Sequence, residues 1–216
     1  LYNLAELQND CSKYFKISPD ETLRIVQELY EKKMTTYPRT DARVLSTAVA
    51  KEIHKNIGGL RNYALAAPFA KEVLEQGTYK NIAKTRYVND KQITDHYAII
   101  PTGQGLNNLA GLAPTAAKVY EVIVRRFLSI FYPPAVYQKF SLTLQVKEES
   151  FFASFKVLIQ EGYLKVTDFS FKKENTAQKE DKENENESAD EKCDAELTNL
   201  LTHLKKGDTL SVDIYE

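Results

Sequence analysis

Tyr37-Pro38-Arg39-Thr40-Asp41 places a phenolic oxygen, a permanent cation and a proline-stiffened backbone within five residues. A tyrosine can attack as a nucleophile and hold the product as a covalent ester. An arginine can clamp a phosphate with two parallel N–H donors. Side by side they suit chemistry on a phosphodiester. Pro38 biases Tyr37 away from the helical region, so the tyrosine belongs on an extended segment or loop. Thr40 or Asp41 can cap a helix running from Ala42 to Asn56. Arg39 would then lie at a helix N-terminus, where backbone N–H groups attract anions. By residue type alone the same five residues also describe an ordinary turn with a solvated arginine.

A second notable stretch is Thr94-Asp95-His96-Tyr97-Ala98-Ile99-Ile100-Pro101-Thr102, where a histidine and an aspartate precede an apolar run. Such a pair is commonly a surface pair. His54 reads as a surface residue of a helix, and His203 as a partner of a helix dipole. Lys32-Lys33 and Arg125-Arg126 read as solvated faces, with backbone phosphate as their alternative partner.

The elements that must hold these stretches follow from periodicity. Leu4, Leu7, Cys11 and Tyr14-Phe15 recur at helical spacing over residues 3–16. Ser18-Pro19-Asp20-Glu21 supplies an N-cap, a proline at the first helical position and an acid that closes a capping box. The helix that follows buries Leu23, Val26, Leu29 and Tyr30. These two helices resemble a helix-turn-helix unit, and equally a plain helical hairpin. The third helix is closed by Gly58-Gly59, and a fourth covers roughly Ala64 to Gln76. Residues 78–113 read as a long loop with short extended pieces, a length that is often functional. A fifth helix begins near Pro114 and is stopped by Pro133-Pro134. The period then changes to two. Phe140, Leu142, Leu144 and Val146 form one strand, and Phe152, Ser154 and Lys156 another, joined at Lys147–Ser150. Residues 172–194 are nearly all polar and charged and read as a disordered linker. A short helix at 195–203, a turn at Lys206-Gly207-Asp208 and a strand at 209–215 complete the chain. The expected fold is multidomain α+β. A mainly helical domain, residues 1–136, precedes a small antiparallel β domain, residues 137–171 and 195–216, interrupted by the linker.

Composition narrows the function. No apolar run approaches the roughly 20 residues of a membrane span, and Cys11 and Cys193 are isolated, which suits a reducing cytoplasm. The net charge of −1 hides an asymmetry: residues 1–145 hold 19 Lys and Arg against 13 Asp and Glu, and residues 146–216 hold 10 against 17. A basic front is compatible with a phosphate-binding surface. The chain opens at Leu1 without a methionine and reads as part of something longer.

Tyr37 to Asp41 resembles the active-site signature of type IA DNA topoisomerases, and the proline after the tyrosine is most like the topoisomerase III branch. Thr94 to Thr102 resembles the second signature of that family, Asp-His-His-Ala-Ile-Ile-Pro-Thr. His96 falls on its first histidine, and Tyr97 replaces the second. Two matches in the right order, about sixty residues apart, are far more specific than one. The helix pair before Tyr37 and the strand pair after the fifth helix also fit.

The resemblance implies a mechanism. Tyr37 attacks a single-strand phosphate and stays linked to the 5′ end. Arg39 binds a non-bridging oxygen of the scissile phosphate, and His96 donates to that phosphate or positions DNA beside it, with Asp95 as orienting partner. Arg43, Thr102 and Gln104 are further DNA contacts. Strand passage and ATP-independent rejoining follow in the full enzyme. The family's magnesium ions and a lysine belong to a Toprim domain, and no Asp-x-Asp pattern after a buried strand occurs here. The chain is therefore expected to be the tyrosine domain with part of the β arch, to hold no metal or cofactor itself, and to be inactive alone. Its partners would be single-stranded DNA and the parent chain's Toprim and remaining domains; it would be a cytoplasmic monomer with no membrane association. Tyr37 is expected to be exposed, near His96. Two other classes compete: a non-catalytic helix-turn-helix DNA-binding module, and a protein-interaction domain using the acidic linker.

Overall fold

The structure, a computed structural model, describes residues 1–171 and 203–209. Helix α1 (Leu4–Phe15) starts at Asn3, whose side chain accepts the Glu6 N–H. Helix α2 (Pro19–Glu31) starts at Ser18, whose hydroxyl accepts the Glu21 N–H, and Pro19 opens the first turn. The Ser18 cap is the one that the sequence predicts, and Asn3 adds a second; both satisfy N–H groups that no helical carbonyl can reach. Lys16, between the two helices, takes the left-handed conformation that reverses the chain. Helices α3 (Thr47–Leu60), α4 (Ala67–Gln76) and α5 (Pro114–Ser129) complete the helical part. Leu7, Val26, Leu29, Ile53, Ile57 and Phe127 meet in one core. Burying each such side chain is worth about 1.5–3 kcal/mol.

After α5 the chain forms an antiparallel hairpin, β1 (Val136–Val146) and β2 (Glu149–Gln160), with Phe140 opposite Phe155 and Val146 opposite Glu149. The turn is tighter than the one expected at 147–150, because Lys147 adopts positive φ and only two residues connect the strands. The fold is mixed α+β. It divides into two compact units: one holds residues 1–134 and 162–171, the other the hairpin with residues 203–209. Residues 162–171, read from sequence with the β segment, thus pack in the helical unit. Phe169 and Phe171 stack with ring centroids 5.1 Å apart, and both rings meet Tyr14. The turn at Lys206-Gly207 forms, with the Asp208 N–H donating to the Lys205 carbonyl. The charged linker, and the short helix and strand expected around it, lie outside the described residues apart from His203 and Thr209.

Four expectations are corrected. The third helix does not begin at Ala42, so Arg39 is not at a helix N-terminus. Residues 42–45 are instead held out of the helix, with Val44 and Leu45 in long-range backbone bonds: the Leu45 N–H donates to Tyr87, the Asn89 N–H to Leu45 and the Ala98 N–H to Val44. The helix waits for Ser46, whose hydroxyl accepts the Val49 N–H. Second, Gly58-Gly59 do not close the helix, which continues to Leu60. A Cβ on Gly59 would lie 2.0 Å from the Gly103 carbonyl oxygen, so this glycine serves close approach of helix and loop. Third, Arg125 is no solvated cation. It is only 6% exposed; its Nε donates to Glu121 at 2.6 Å and its Nη1 to the Val166 carbonyl at 3.0 Å. Glu121 also accepts the Ser170 N–H and hydroxyl, which ties the returning segment to α5. Fourth, Tyr30 is 39% exposed rather than in the core. The long loop is also more ordered than read, with 3-10 turns at Thr78–Lys84, Asp90–Gln92 and Leu106–Gly111.

The two adjacent glycines of α3 should respond oppositely to alanine. Gly58 faces open space, so Gly58→Ala should stabilise the helix by about 0.5–1 kcal/mol. Gly59→Ala should destabilise by about 2 kcal/mol through overpacking against Gly103. Urea unfolding of the two variants measures both; equal effects of the same sign would refute the close-approach argument.

Candidate active site

Helix α2 ends at Glu31, and Lys33 at positive φ turns the chain sharply. The segment 34–36 then pairs with 98–102. The Thr36 N–H donates to the Ile100 carbonyl at 3.0 Å and the Thr102 N–H to the Met34 carbonyl at 3.0 Å. The Thr36 hydroxyl donates to the Ala98 carbonyl and accepts the Ile100 N–H, both at 3.0 Å. Thr35 and Pro101 face each other across this short antiparallel pairing. The two stretches singled out in the sequence are thus laced together directly.

Beyond Thr36 the backbone leaves the pairing. Tyr37 is not helical, as Pro38 requires, and Pro38 is buried. The Thr40 N–H donates to the Pro38 carbonyl at 3.0 Å, a three-residue turn with Arg39 at its centre. This turn presents the exposed Arg39 outward. Thr40, buried, does not cap a helix. Its hydroxyl donates to the His96 carbonyl at 2.7 Å and accepts the Ala42 N–H at 3.1 Å. That bond fixes the backbone of His96 against the tyrosine segment.

The rings of Tyr37 and His96 lie 4.4 Å apart, inclined by 41°. Tyr30 packs edge-on to Tyr37 at 5.4 Å. Held between these rings, Tyr37 is half-buried, where exposure was expected. Tyr37, His96, Thr102 and Gln104 line one cleft of about 550 Å³, with Tyr30 and Tyr97 on its walls. Burial raises the Tyr97 phenol above its ordinary value. Arg39 and Asp95 are exposed beside these residues in sequence and do not line the cleft. Arg43 does not join it: it lines a separate cleft and pairs with Glu6 at 3.2 Å. Sequence reasoning missed Thr36 and Thr40 as the groups that unite the site, because both act on backbone distant in the chain. It also missed Tyr30 as a wall, because its spacing matches the apolar stripe of α2. Among the described residues no three His, Cys, Asp or Glu side chains stand together to hold a metal ion, and no helix is long and apolar enough to cross a membrane.

The helical unit thus brings a pre-proline tyrosine and a distant histidine into one cleft, with an arginine on the adjoining turn. A family model for DNA topoisomerase matches residues 1–212, and the chain belongs to that family, in its type IA group. Its similarity is to DNA topoisomerase 3 in particular. It is 36% identical over 217 residues to that of Bacillus cereus ATCC 14579, covering 99% of this chain and 27% of the relative. Against the Bacillus licheniformis protein the identity is 35% over 213 residues, covering 98% of this chain and 26% of the relative. Against that of Bacillus subtilis 168 it is 33%, with the same coverage. The chain therefore spans about a quarter of the length of the curated relatives it matches.

Thr40→Val keeps the shape of the side chain and removes its hydroxyl. The His96 carbonyl and Ala42 N–H then lose their buried partner, and the helical unit should be destabilised by about 1–3 kcal/mol. The Tyr37–His96 ring contact should loosen, seen as reduced ring-current shifts of the His96 protons. An unchanged unfolding midpoint with unchanged His96 shifts would show that the hydroxyl does not fix the site.

Proposed function

We propose that this chain carries the DNA-cleaving tyrosine of a topoisomerase III-like enzyme. The observation that carries the reading is the Tyr37 ring packed against His96 in a cleft, with Arg39 on a tight turn two residues away. The substrate is one strand of DNA. The Tyr37 oxygen attacks the phosphorus, a P–O bond to tyrosine forms and the bond to the 3′ oxygen breaks. Phenols ordinarily hold their proton at neutral pH, so attack requires the proton to leave as the bond forms. The departing 3′ oxygen takes up a proton and becomes a hydroxyl.

Arg39 clamps a non-bridging oxygen and neutralises the charge that builds there. Its place at the centre of a short turn frees the side chain to swing onto the phosphate. His96, beside the phenol, donates to the same phosphate or holds the adjacent nucleotide, with Asp95 next to it as an orienting group. Thr102 and Gln104, on the wall of the same cleft, contact the strand. The phosphotyrosine ester stores the energy of the broken phosphodiester, so the reverse attack by the 3′ hydroxyl needs no ATP. Magnesium is assigned in this reading to a Toprim domain of the parent protein, as the family resemblance implies. The other partners in this reading are the remaining domains of that protein. It works as a monomer in the cytoplasm, and this chain alone relaxes no DNA.

The test uses the full-length protein and a 3′-labelled single strand. Tyr37→Phe should abolish the denaturant-resistant adduct while leaving strand binding within about twofold. Arg39→Ala should slow adduct formation by about 10²–10³, the usual effect of removing one transition-state donor. A labelled adduct with the Phe variant would refute Tyr37 as the nucleophile.

A further inference from the structure

The helical unit has a second cleft, of about 700 Å³, that the tyrosine chemistry does not use. Arg43, Arg86 and Arg126 line it, with Tyr87, Tyr132 and Tyr163, and none of its lining residues carries a carboxylate. Its construction follows from the fold. Leu45 and Val88 pair as a parallel bridge, which sets Arg43 and Arg86, each two residues earlier, abreast on neighbouring segments. Arg126 comes from the last turn of α5, and its guanidinium lies over the Tyr2 ring at 5.2 Å. The Arg86 guanidinium lies 5.3 Å from the centre of the Tyr87 ring. Two acids bonded to its lining are already committed: Glu6 pairs with Arg43 at 3.2 Å, and Glu72 takes bonds from Lys165 and Tyr132 at 2.8 Å. Arg126 and Arg86 have no carboxylate partner among the described residues.

Three guanidiniums converging on one cavity repel one another and favour an anion between them. The cavity has the size of a small-ligand site, and its tyrosine faces can take a flat ring by stacking. The geometry points to a second nucleic-acid site, in which Arg43, Arg86 and Arg126 hold the phosphodiesters of a single strand and Tyr87 stacks a base, separate from the Tyr37 cleft. The choice of nucleic acid over free phosphate rests on the proposed function above; the cleft itself does not.

The experiment measures binding of a fluorescein-labelled oligo(dT) to the purified chain by anisotropy, over a range of salt. Arg43 and Arg86 are exposed, so Arg43→Ala/Arg86→Ala should fold normally; Arg86→Ala alone serves as a milder second variant. The double variant should bind at least tenfold more weakly, and the dependence of log K on log salt should be shallower by about 1, as expected when two cations no longer displace counterions from a single strand. Lys51→Ala/Lys71→Ala removes the same charge elsewhere and should change affinity less than twofold. Equal weakening by both double variants would overturn the proposal and leave the tyrosine reading intact, since that reading is decided by the Tyr37 adduct. Binding of inorganic pyrophosphate through the arginines with no binding of oligo(dT) would also overturn it, as would no binding of either probe.

Discussion

The site depends on one small lacing: residues 34–36 held against residues 98–102. Thr36 takes part through its N–H and its hydroxyl, so a single side chain joins two backbone segments more than sixty residues apart. Closing a loop of that length costs on the order of 4 kcal/mol in chain entropy. The hydrogen bonds alone, each worth about 1 kcal/mol net, barely match it. The closing term is hydrophobic. Ala98, Ile99 and Ile100 are all buried, and each isoleucine contributes about 1.5–3 kcal/mol. The apolar run that follows His96 is therefore what carries the histidine to the tyrosine.

The helices serve that lacing. Helix α2 delivers the chain to Met34 and sets Tyr30 against the Tyr37 ring. Helix α3 backs the second segment: Asn56 donates to the Pro101 carbonyl at 2.9 Å, and Gly59 lets Gly103 approach its backbone. Helix α5 supplies the core beneath and, through Glu121 and Arg125, anchors the chain where it returns at 162–171. A buried pair of this kind gains little over apolar packing of the same volume. Its value here is geometric, since it binds Val166 and Ser170 in one register on α5.

Much of this was legible in the residues. Helices α1, α2 and α5 were readable because their apolar spacing, the Ser18 cap of α2 and Pro114 at the start of α5 are local, and local signals survive packing. The strand pair was readable from its period of two. Pro38 biased Tyr37 away from the helical region through a local clash that needs no tertiary partner. The misplaced start of α3 has the opposite cause. Thr40 and Asp41 are good caps, but residues 42–45 gain more from backbone partners at 87–89 and 98 than from a helical turn. Arg125 was misread because burial of a charge depends on a partner and a covering segment that arrive from elsewhere in the chain.

The residue types at 37–41 and 94–102 determined what chemistry this chain is equipped for, because a phenol, a guanidinium and an imidazole keep their reactivity in any fold. Only the tertiary structure decided which of them work together. It set His96 on Tyr37 and half-buried the phenol between two rings. It moved Arg43 away, to a second cleft with Arg86 and Arg126. The reason is the same in each case: a side chain's chemistry is local, whereas its neighbours are chosen by backbone pairing and burial between residues remote in sequence.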